Sequence, residues 1–298
     1  MEGYPALMKV EQMGQIIDGK AIAAQVRETL MSRTAALKDA GRSCSLDAVI
    51  VGANQSGRVY AENQARMCAE VGIDYRLHEY PPEVSQQELE TVIDGLNAES
   101  SVTAIMVHLP MPDGVDTEAI HSRIKADKDV EGVNPANIGN VLYGRRSLVP
   151  CTALATMTLI ESTGISLPGK TVVCVGASNI VGKPVAVLLM RAEATVISTN
   201  VHTPDVPARC READIIVSAA GVPGLVTSDM VRPGAVVIDV GITRVKNPET
   251  GRSRTVGDVD FESVQPVAGW ITPVPGGVGP VTVAMLLRNT VDAAEAAS

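Results

Sequence analysis

The segment VVCVGASNIVGKP, residues 172–184, decides the fold. It begins as a short Val-rich apolar run, which is typical of a buried strand in a parallel sheet. Gly176, Ser178 and Gly182 follow, and a helical pattern starts at about Val181. A strand, a glycine turn and a helix in this order bring the unpaired N–H groups of the helix beside the turn, where they can bind a pyrophosphate. The spacing G-x-S-x-x-x-G is not the usual dinucleotide pattern, so ordinary turn glycines are the alternative.

The alternation of strands and helices extends in both directions from this segment. Before it, the alternation predicts a parallel sheet covered by helices, and after it a second α/β unit of the doubly wound type. Residues 126–150 have few periodic signals, so we expect a loop that crosses between domains. The predicted strands are 45–52, 73–80, 103–112, 171–176, 194–199, 214–220 and 235–241, and the predicted helices are 16–41, 60–71, 85–99, 117–125, 150–163, 206–212, 281–297 and one that starts near 181.

The composition excludes several classes of protein. The chain has 298 residues, which suggests about two domains. Its 25 Lys and Arg against 34 Asp and Glu give a net charge of −9, which argues against a nucleic-acid partner. No apolar window reaches the ~18 residues of a membrane span, and residues 1–15 lack the cationic head of a secretory signal. Five dispersed cysteines without a C-x-x-C pair and four scattered histidines predict reduced thiols, a cytoplasmic location and no metal site.

The segment after the next predicted strand bears on the choice between the two nicotinamide dinucleotides. An acid at this point binds the ribose hydroxyls of NAD, and an Arg binds the 2′-phosphate of NADP. STNVHT, residues 198–203, has neither. His202 is either a weak phosphate partner or a solvated loop residue, and we favour the second interpretation because a mostly neutral imidazole is a poor substitute for a guanidinium.

Several segments together resemble one family, the bifunctional methylenetetrahydrofolate dehydrogenase/methenyltetrahydrofolate cyclohydrolase (FolD) enzymes. They follow the family's order and cover the chain from residue 16 onward. The glycine turn and the proline- and glycine-rich segment near the C-terminus are highly specific in combination. The matching segments are IIDGK (16–20), VGANQSGRVYAENQ (51–64), VHLPMP (107–112), DKDVEG (127–132), PCT (150–152), VGASNIVGKP (175–184), VIDVGI (237–242), VGDVDF (256–261) and TPVPGGVGPVT (272–282).

This resemblance implies two α/β domains around a cleft, of which the C-terminal one is a Rossmann-type doubly wound parallel sheet. The N-terminal domain, folate-binding and catalytic, would span 1–148 with the C-terminal helix 281–298 packed back on it, and the dinucleotide-binding domain would span 149–280. The resemblance also implies a homodimer, a reduced folate as substrate and NAD or NADP as cofactor. It places Gly176, Ser178, Asn179, Ile180, Gly182, His202, Gly241 and Ile242 at the cofactor, and Tyr60, Glu131, Pro273, Gly276, Gly277 and Val278 at the substrate.

The chain departs from the family pattern at the catalytic positions. Family members have a Tyr followed four residues later by a Lys, a spacing that puts both side chains on one helix face, whereas this chain has Tyr60 and Gln64. His108 stands where the family has a Gln, and Glu131 stands where it has an Asp that anchors the pterin. The Ser and Arg that select NADP align with residues 201–202, Val and His, and this replacement favours NAD.

Each replacement has a chemical consequence. Gln64 does not titrate near neutral pH and so cannot act as a general acid or base, and we therefore expect weak or absent cyclohydrolase activity. His108 either restores a titrating group or is a hydrogen-bonded spacer. Glu131 either shifts the pterin by about 1 Å, which can cost about 10²-fold in rate, or is a tolerated conservative replacement.

Three functions are compatible with these residues. The first is oxidation of 5,10-methylenetetrahydrofolate to 5,10-methenyltetrahydrofolate with NAD(P), because this transfer needs alignment more than acid–base groups. The second is a non-redox enzyme that uses methylenetetrahydrofolate as a one-carbon donor to another substrate, with His108 or Glu131 as proton source. The third is a folate-binding homologue without catalysis. We favour the first, and we interpret Cys151 as a packing residue because no sequence neighbour would lower its pKa.

Overall fold

The computed structural model describes residues 13–52, 55–145, 147–246, 251 and 253–297. Residues 1–12, part of the N-terminal segment to which the sequence gives no role, lie outside the described residues. In chain order the elements are β1 (Gln15–Ile16), α1 (Gly19–Asp39), β2 (Ser45–Val51), α2 (Gln55–Val71), β3 (Asp74–Tyr80), α3 (Gln86–Ala98), β4 (Ala104–Val107), α4 (Thr117–Arg123), α5 (Pro135–Tyr143), α6 (Cys151–Ser162), β5 (Thr171–Val175), α7 (Gly182–Arg191), β6 (Thr195–Thr199), α8 (Val206–Arg211), β7 (Ile215–Ser218), β8 (Val236–Asp239), β9 (Thr243–Lys246), β10 (Ser253–Val256), α9 (Phe261–Val264), β11 (Trp270–Ile271) and α10 (Val278–Ala296).

The first half of the chain forms a three-stranded parallel sheet in the order β3–β2–β4. Every residue of the central strand β2 is buried, including the polar Ser45 and Asp47, as expected for a strand covered on both faces. Aliphatic side chains of α3 and α4 pack against one face of this sheet. The carboxyl ends of β2 and β4 lie side by side at one edge, so the residues that follow them are brought together.

The second half forms a six-stranded parallel sheet in the order β1–β11–β8–β7–β5–β6. The chain passes from β5 to β6 on one side and then returns to β7 on the other side of β5. This reversal creates a crevice at the carboxyl end of β5, which is where doubly wound sheets bind their ligands. The predicted α/β class, with a Rossmann-type C-terminal domain, is confirmed.

Two terminal elements connect the halves. The N-terminal strand β1 pairs with β11 at the edge of the C-terminal sheet, and α10 packs against α1 and α6. Asn289 on α10 donates its amide N–H groups to the carbonyl oxygens of Val130 (2.8 Å) and Val149 (2.9 Å). These contacts fix the cleft between the halves. Within the described residues, no helix has the length and apolar character needed to cross a membrane.

Local sequence signals correctly predict several boundaries. Ser85 caps α3 and forms a reciprocal capping box with Glu88, as the S-x-x-E spacing predicts. Gly72 ends α2 with a φ of +79°, a left-handed conformation that favours glycine.

Several boundaries predicted from the sequence are wrong: the helices predicted to begin at 60 and 281 begin at Gln55 and Val278, and the strand predicted over 214–220 ends at Ser218. Three other differences have a physical reason in the sequence. The helix predicted over 16–41 begins at Gly19, because Asp18 accepts two backbone N–H groups as its N-cap and the two residues of β1 are too few to show a strand period. The strand predicted over 103–112 ends at Val107, since the prolines that follow cannot donate to a ladder. The strand predicted over 235–241 ends at Asp239, whose side chain binds the backbone of the loop that follows.

Residues 126–150 are not only a loop, because they contain α5. Asn134 caps this helix, Pro135 occupies its first position and Gly144 ends it in a left-handed conformation. These are ordinary start and stop signals, but only Asn137 and Val141 are buried, so the apolar face is too narrow to show a period. The antiparallel pair β9–β10 and the short α9 and β11 are too short or too polar to show a period, so the sequence does not predict them.

Candidate active site

Tyr60 and Gln64 lie one turn apart on α2, as their spacing predicts, but they differ in exposure. Tyr60 is 53% exposed at the cleft, whereas Gln64 is only 2% exposed. Partial burial and the neighbouring Glu131 carboxyl raise the pKa of Tyr60, so its hydroxyl stays protonated near neutral pH. Tyr60 is therefore available to contact a ligand, and Gln64 forms the layer beneath it.

Gln64 is held by a sulfur atom. Its Nε2 lies 2.9 Å from Sδ of Met106, a residue of β4. Its Oε1 is buried and has no hydrogen-bond partner among the described residues. A buried amide oxygen without a hydrogen-bond partner lowers the stability of the fold. Such atoms are rare and are expected mainly at functional positions.

His108 follows β4 and is 7% exposed. Its ring meets the Tyr60 ring edge to face, with 5.6 Å between centroids, and its Nε2 is 3.5 Å from the hydroxyl of Tyr75. Burial lowers the pKa of His108 below its usual value, so the imidazole is neutral at neutral pH.

Glu131 lies after a bridge between Ile105 and Asp129, which places it beside β4. Its Oε2 accepts the backbone N–H of Val107 at 3.3 Å. Burial, together with the charge of Asp129, raises the pKa of Glu131 to about 7, against the opposing effect of the Val107 N–H. This carboxyl group therefore changes its protonation state near neutral pH.

Tyr60, His108 and Glu131 line one cavity of about 520 Å³ at the carboxyl edge of the N-terminal sheet. That volume is within the usual range for a small-molecule site. A smaller cavity of about 110 Å³ continues from Tyr60 and Glu131 to Leu286 of α10 and to Ile180 beside the glycine turn. Both cavities together join the N-terminal sheet to the glycine turn.

The glycine turn lies at the switch point of the C-terminal sheet. Gly176 has a φ of +103°, and a Cβ on Gly182 would lie 2.1 Å from the carbonyl oxygen of Gly176, so neither position accommodates a side chain. The Ser178 hydroxyl accepts the N–H of Gly182 at 3.3 Å, and Lys183 donates to Oδ1 of Asn179 at 2.7 Å. Bare glycines, a helix N-terminus and a lysine fit a dinucleotide pyrophosphate.

The other predicted cofactor residues surround this edge. Val201 is 94% exposed, and His202 is exposed with its backbone N–H bound to Oδ1 of Asn200. Gly241 donates its N–H to Asp239 at 3.0 Å, and Ile242 is exposed beside it. All of these residues follow carboxyl ends of strands of the same sheet.

The loop with Pro273, Gly276 and Gly277 connects β11 to α10 and does not line either of the two cavities described above. A Cβ on Gly19 would lie 1.8 Å from the carbonyl oxygen of Gly277, so this loop packs on the start of α1. Val278 is buried. The structure thus brings Tyr60, His108 and Glu131 together, but the loop with Pro273, Gly276 and Gly277 lies outside the cavity that these three residues line.

Two family models match most of the chain. Residues 17–131 match the tetrahydrofolate dehydrogenase/cyclohydrolase catalytic domain, and residues 150–298 match the NAD(P)-binding domain of the same family. The chain belongs to the tetrahydrofolate dehydrogenase/cyclohydrolase family. The family predicted from the sequence is therefore confirmed, and the C-terminal sheet is its NAD(P)-binding domain.

Relatives match this chain over almost their whole length. A bifunctional protein FolD of Moorella thermoacetica is 49% identical over 280 residues, which cover 94% of this chain and 98% of the relative. The structure of the bifunctional enzyme FolD from Campylobacter jejuni has a TM-score of 0.90 and 42% identity, covering 94% and 98%. A FolD structure from Trypanosoma brucei, complexed with NADP cofactor and inhibitor, has a TM-score of 0.89 and 40% identity, covering 95% and 98%.

Sequence reasoning missed three residues that contribute to this FolD-family site. Met106 fixes Gln64, but a methionine inside an apolar strand gives no signal of such a contact. Asp258 and Asp239 organise the loops at the switch point. An Asp at the end of an apolar run is a signal for Asp239, but Asp258 follows the polar strand β10 and has no such signal. Cys151 is buried, and its thiol donates a hydrogen bond to the Val130 carbonyl oxygen. Burial raises the pKa of Cys151, as expected for a packing residue.

Proposed function

We propose that this chain oxidises 5,10-methylenetetrahydrofolate to 5,10-methenyltetrahydrofolate with a nicotinamide dinucleotide, preferably NAD, and that it hydrolyses the methenyl product slowly or not at all. The relatives are named bifunctional, so the second part distinguishes this chain from them. The observation that carries the proposal is Gln64, a buried amide where the family resemblance leads us to expect a lysine.

Hydrolysis requires a group that moves protons while water attacks the methenyl carbon. An amide does not titrate near neutral pH, and Nε2 of Gln64 already donates to Sδ of Met106. Burial keeps His108 neutral, and its Nε2 lies 3.5 Å from the Tyr75 hydroxyl. Gln64 therefore supports binding and alignment rather than proton transfer to or from water, whereas a neutral His108 can still accept a proton, and substitution at both positions tests its part.

Oxidation requires alignment of two ligands across the cleft. The bound dinucleotide supplies the acceptor for the hydride that leaves the methylene carbon. Gly176, Gly182 and Lys183 would hold its pyrophosphate at the glycine turn, and Tyr60 would hold the pterin by contact with its ring. Ile180 lines the smaller cavity between these two sites, which supports a short path between them.

Glu131 is the proposed pterin anchor. Its carboxylate lines both cavities and uses one oxygen for the Val107 N–H, which leaves the other oxygen for the amino and ring N–H donors of a pterin. Two further properties stay predictions. The family resemblance implies a homodimer, and the dispersed cysteines of the sequence indicate a cytoplasmic location.

The experiment is a turnover assay of the purified chain with methylenetetrahydrofolate and either NAD or NADP. We expect reduction of the nicotinamide, faster with NAD. A binding titration with the same folate runs in parallel. No turnover with either dinucleotide, while the folate binds, would refute the proposed oxidation.

A second candidate function is favoured by Glu131 itself. Because its pKa is about 7, it is partly protonated near neutral pH and could supply the proton that opens the imidazolidine ring of methylenetetrahydrofolate. The chain would then donate the one-carbon unit to another substrate without redox chemistry. Folate binding without nicotinamide reduction is the result that would favour this candidate.

The cofactor preference can be reversed at an exposed site. Changing Val201→Ser together with His202→Arg should raise the ratio of kcat/KM for NADP to that for NAD by about tenfold or more, because a guanidinium makes charge-assisted hydrogen bonds to a 2′-phosphate. Val201 is 94% exposed, so the substitution leaves the core unchanged. Val201→Ser alone adds no charge and is the control. A wild-type protein that already prefers NADP, or an unchanged ratio in the double variant, would contradict this assignment.

A further inference from the structure

Two buried aspartates connect the loops at the carboxyl edge of the C-terminal sheet. Asp239 ends β8 and Asp258 follows β10, and each is at most 3% exposed. Asp239 Oδ1 accepts the N–H groups of Gly241 (3.0 Å) and Asp258 (2.9 Å), and its Oδ2 accepts that of Val259 (2.9 Å). Asp239 thus ties the loop after β8 to the segment that carries Asp258.

Asp258 in turn holds the segment after β7. Its Oδ2 accepts the Ser218 hydroxyl at 3.0 Å and the backbone N–H groups of Ala220 at 2.7 Å and Gly221 at 3.2 Å. A carboxylate that receives several donors makes charge-assisted bonds, which are about twice as strong as neutral ones. Residues 220–221 are therefore held by this side chain, whereas the N–H of Ala219 is bonded to the Val175 carbonyl oxygen at 2.7 Å.

The segment held by Asp258 lies directly against the glycine turn. A Cβ on Gly176 would be 2.4 Å from the carbonyl oxygen of Ala219 and 3.0 Å from the nitrogen of Ala220. Gly176 lies in turn against Gly182, the first residue of α7. A shift of residues 219–221 would consequently move the turn and the helix start that would receive the pyrophosphate.

The second oxygen of Asp258 faces another residue of the same edge. Oδ1 is buried, has no hydrogen-bond partner among the described residues, and would lie 2.1 Å from a Cβ on Gly241. The carboxylate thus occupies the space of a side chain at Gly241. Asp258 thus contacts both the segment after β7 and Gly241 in the loop after β8.

We propose that Asp258 is a positioning residue of the dinucleotide site, which holds residues 220–221 beside Gly176 and supports Gly241 from behind. This inference rests on the proposed function, because it assumes that a dinucleotide occupies the crevice at β5. Asp258 does not itself contact the ligand. Its removal should weaken dinucleotide binding while the pterin site around Tyr60, in the other half, is unaffected.

The test compares Asp258→Ala and Asp258→Asn with the wild-type protein. We expect the dissociation constant of reduced dinucleotide, measured by its fluorescence, to rise about tenfold or more in the Ala variant, which leaves two backbone donors without an acceptor. The Asn variant should lie between it and the wild type, because an amide oxygen still accepts. Folate KM should not change. Asp260→Asn is the matched control, since Asp260 is exposed and its side chain makes no capping bond to α9.

The outcomes separate a positioning role from a structural one. Variants with lower melting temperatures but unchanged dinucleotide affinity would overturn the proposal. If the Ala variant does not fold, the Asn variant decides, with a rise of about threefold or more expected. Binding is measured without folate, so a wild-type protein that binds dinucleotide but does not oxidise the folate contradicts only the proposed function. A wild-type protein that binds no dinucleotide overturns both.

Discussion

Gln64→Lys, combined with His108→Gln and Glu131→Asp, should raise the rate of methenyltetrahydrofolate hydrolysis by about 10²- to 10⁴-fold, the usual contribution of a positioned acid–base group. Gln64 is 2% exposed beside Met106, so a lysine there is largely buried. Burial lowers the pKa of a lysine toward neutrality, which suits it to accept and return a proton. The other two substitutions restore the neighbours that the family resemblance places around that lysine.

Hydrolysis is measured as loss of methenyl absorbance after the spontaneous rate is subtracted. Gln64→Met is the matched control, since it has similar length and no titrating group. The single Gln64→Lys variant shows whether His108 and Glu131 also block the reaction. A triple variant that binds folate but hydrolyses no faster than the wild type would contradict the role assigned to position 64.

Glu131→Gln should lower kcat/KM for methylenetetrahydrofolate by about 10²-fold at about pH 8, because it removes the charged acceptor for the pterin donors. The wild type should itself depend on pH. Since the pKa of Glu131 is raised to about 7, the carboxylate is ionised above that pH and protonated below it. We therefore expect kcat/KM to fall by up to about tenfold per pH unit below 7, and the Gln variant to be flat over this range.

A measurement of stability shows whether the loss of activity in the Glu131→Gln variant reflects unfolding. A carboxyl group whose pKa is raised in the folded state favours folding when it is protonated, and this contribution decreases as the pH rises through about 7. Above that pH, Glu131→Gln should be at least as stable as the wild type, so lost activity would not reflect unfolding. Glu131→Asp keeps the charge and should retain the pH dependence. A wild-type kcat/KM that does not change between acidic and alkaline pH would refute the anchor role.

The sequence correctly predicts the elements that are marked by strong local signals. Val172 to Val175 form a strand and Gly176 a turn because apolar runs and glycine conformations are local properties. The capping box at Ser85 is local in the same way. The glycine turn could be located because it follows the carboxyl end of such a strand, whereas Tyr60, Gln64 and Glu131 were placed at the site by the family resemblance.

What the sequence could not predict depends on distant contacts. Strand β1 exists only because it pairs with β11, from the opposite end of the chain, and its two residues carry no period. The bond between Gln64 and Met106 joins a helix to a strand, and no spacing rule relates them. Asp258 owes its role to three loops that meet only in the folded molecule.

The central claim is that this chain forms the methenyl product and releases it without hydrolysis. The most direct measurement is the ratio of methenyltetrahydrofolate to reduced nicotinamide during turnover, followed in one reaction with wild-type protein. We predict equal amounts of the two products, apart from the spontaneous hydrolysis measured without protein. Reduced nicotinamide that accumulates while methenyltetrahydrofolate stays well below it would mean that the chain hydrolyses its own product, and would refute the loss of cyclohydrolase activity.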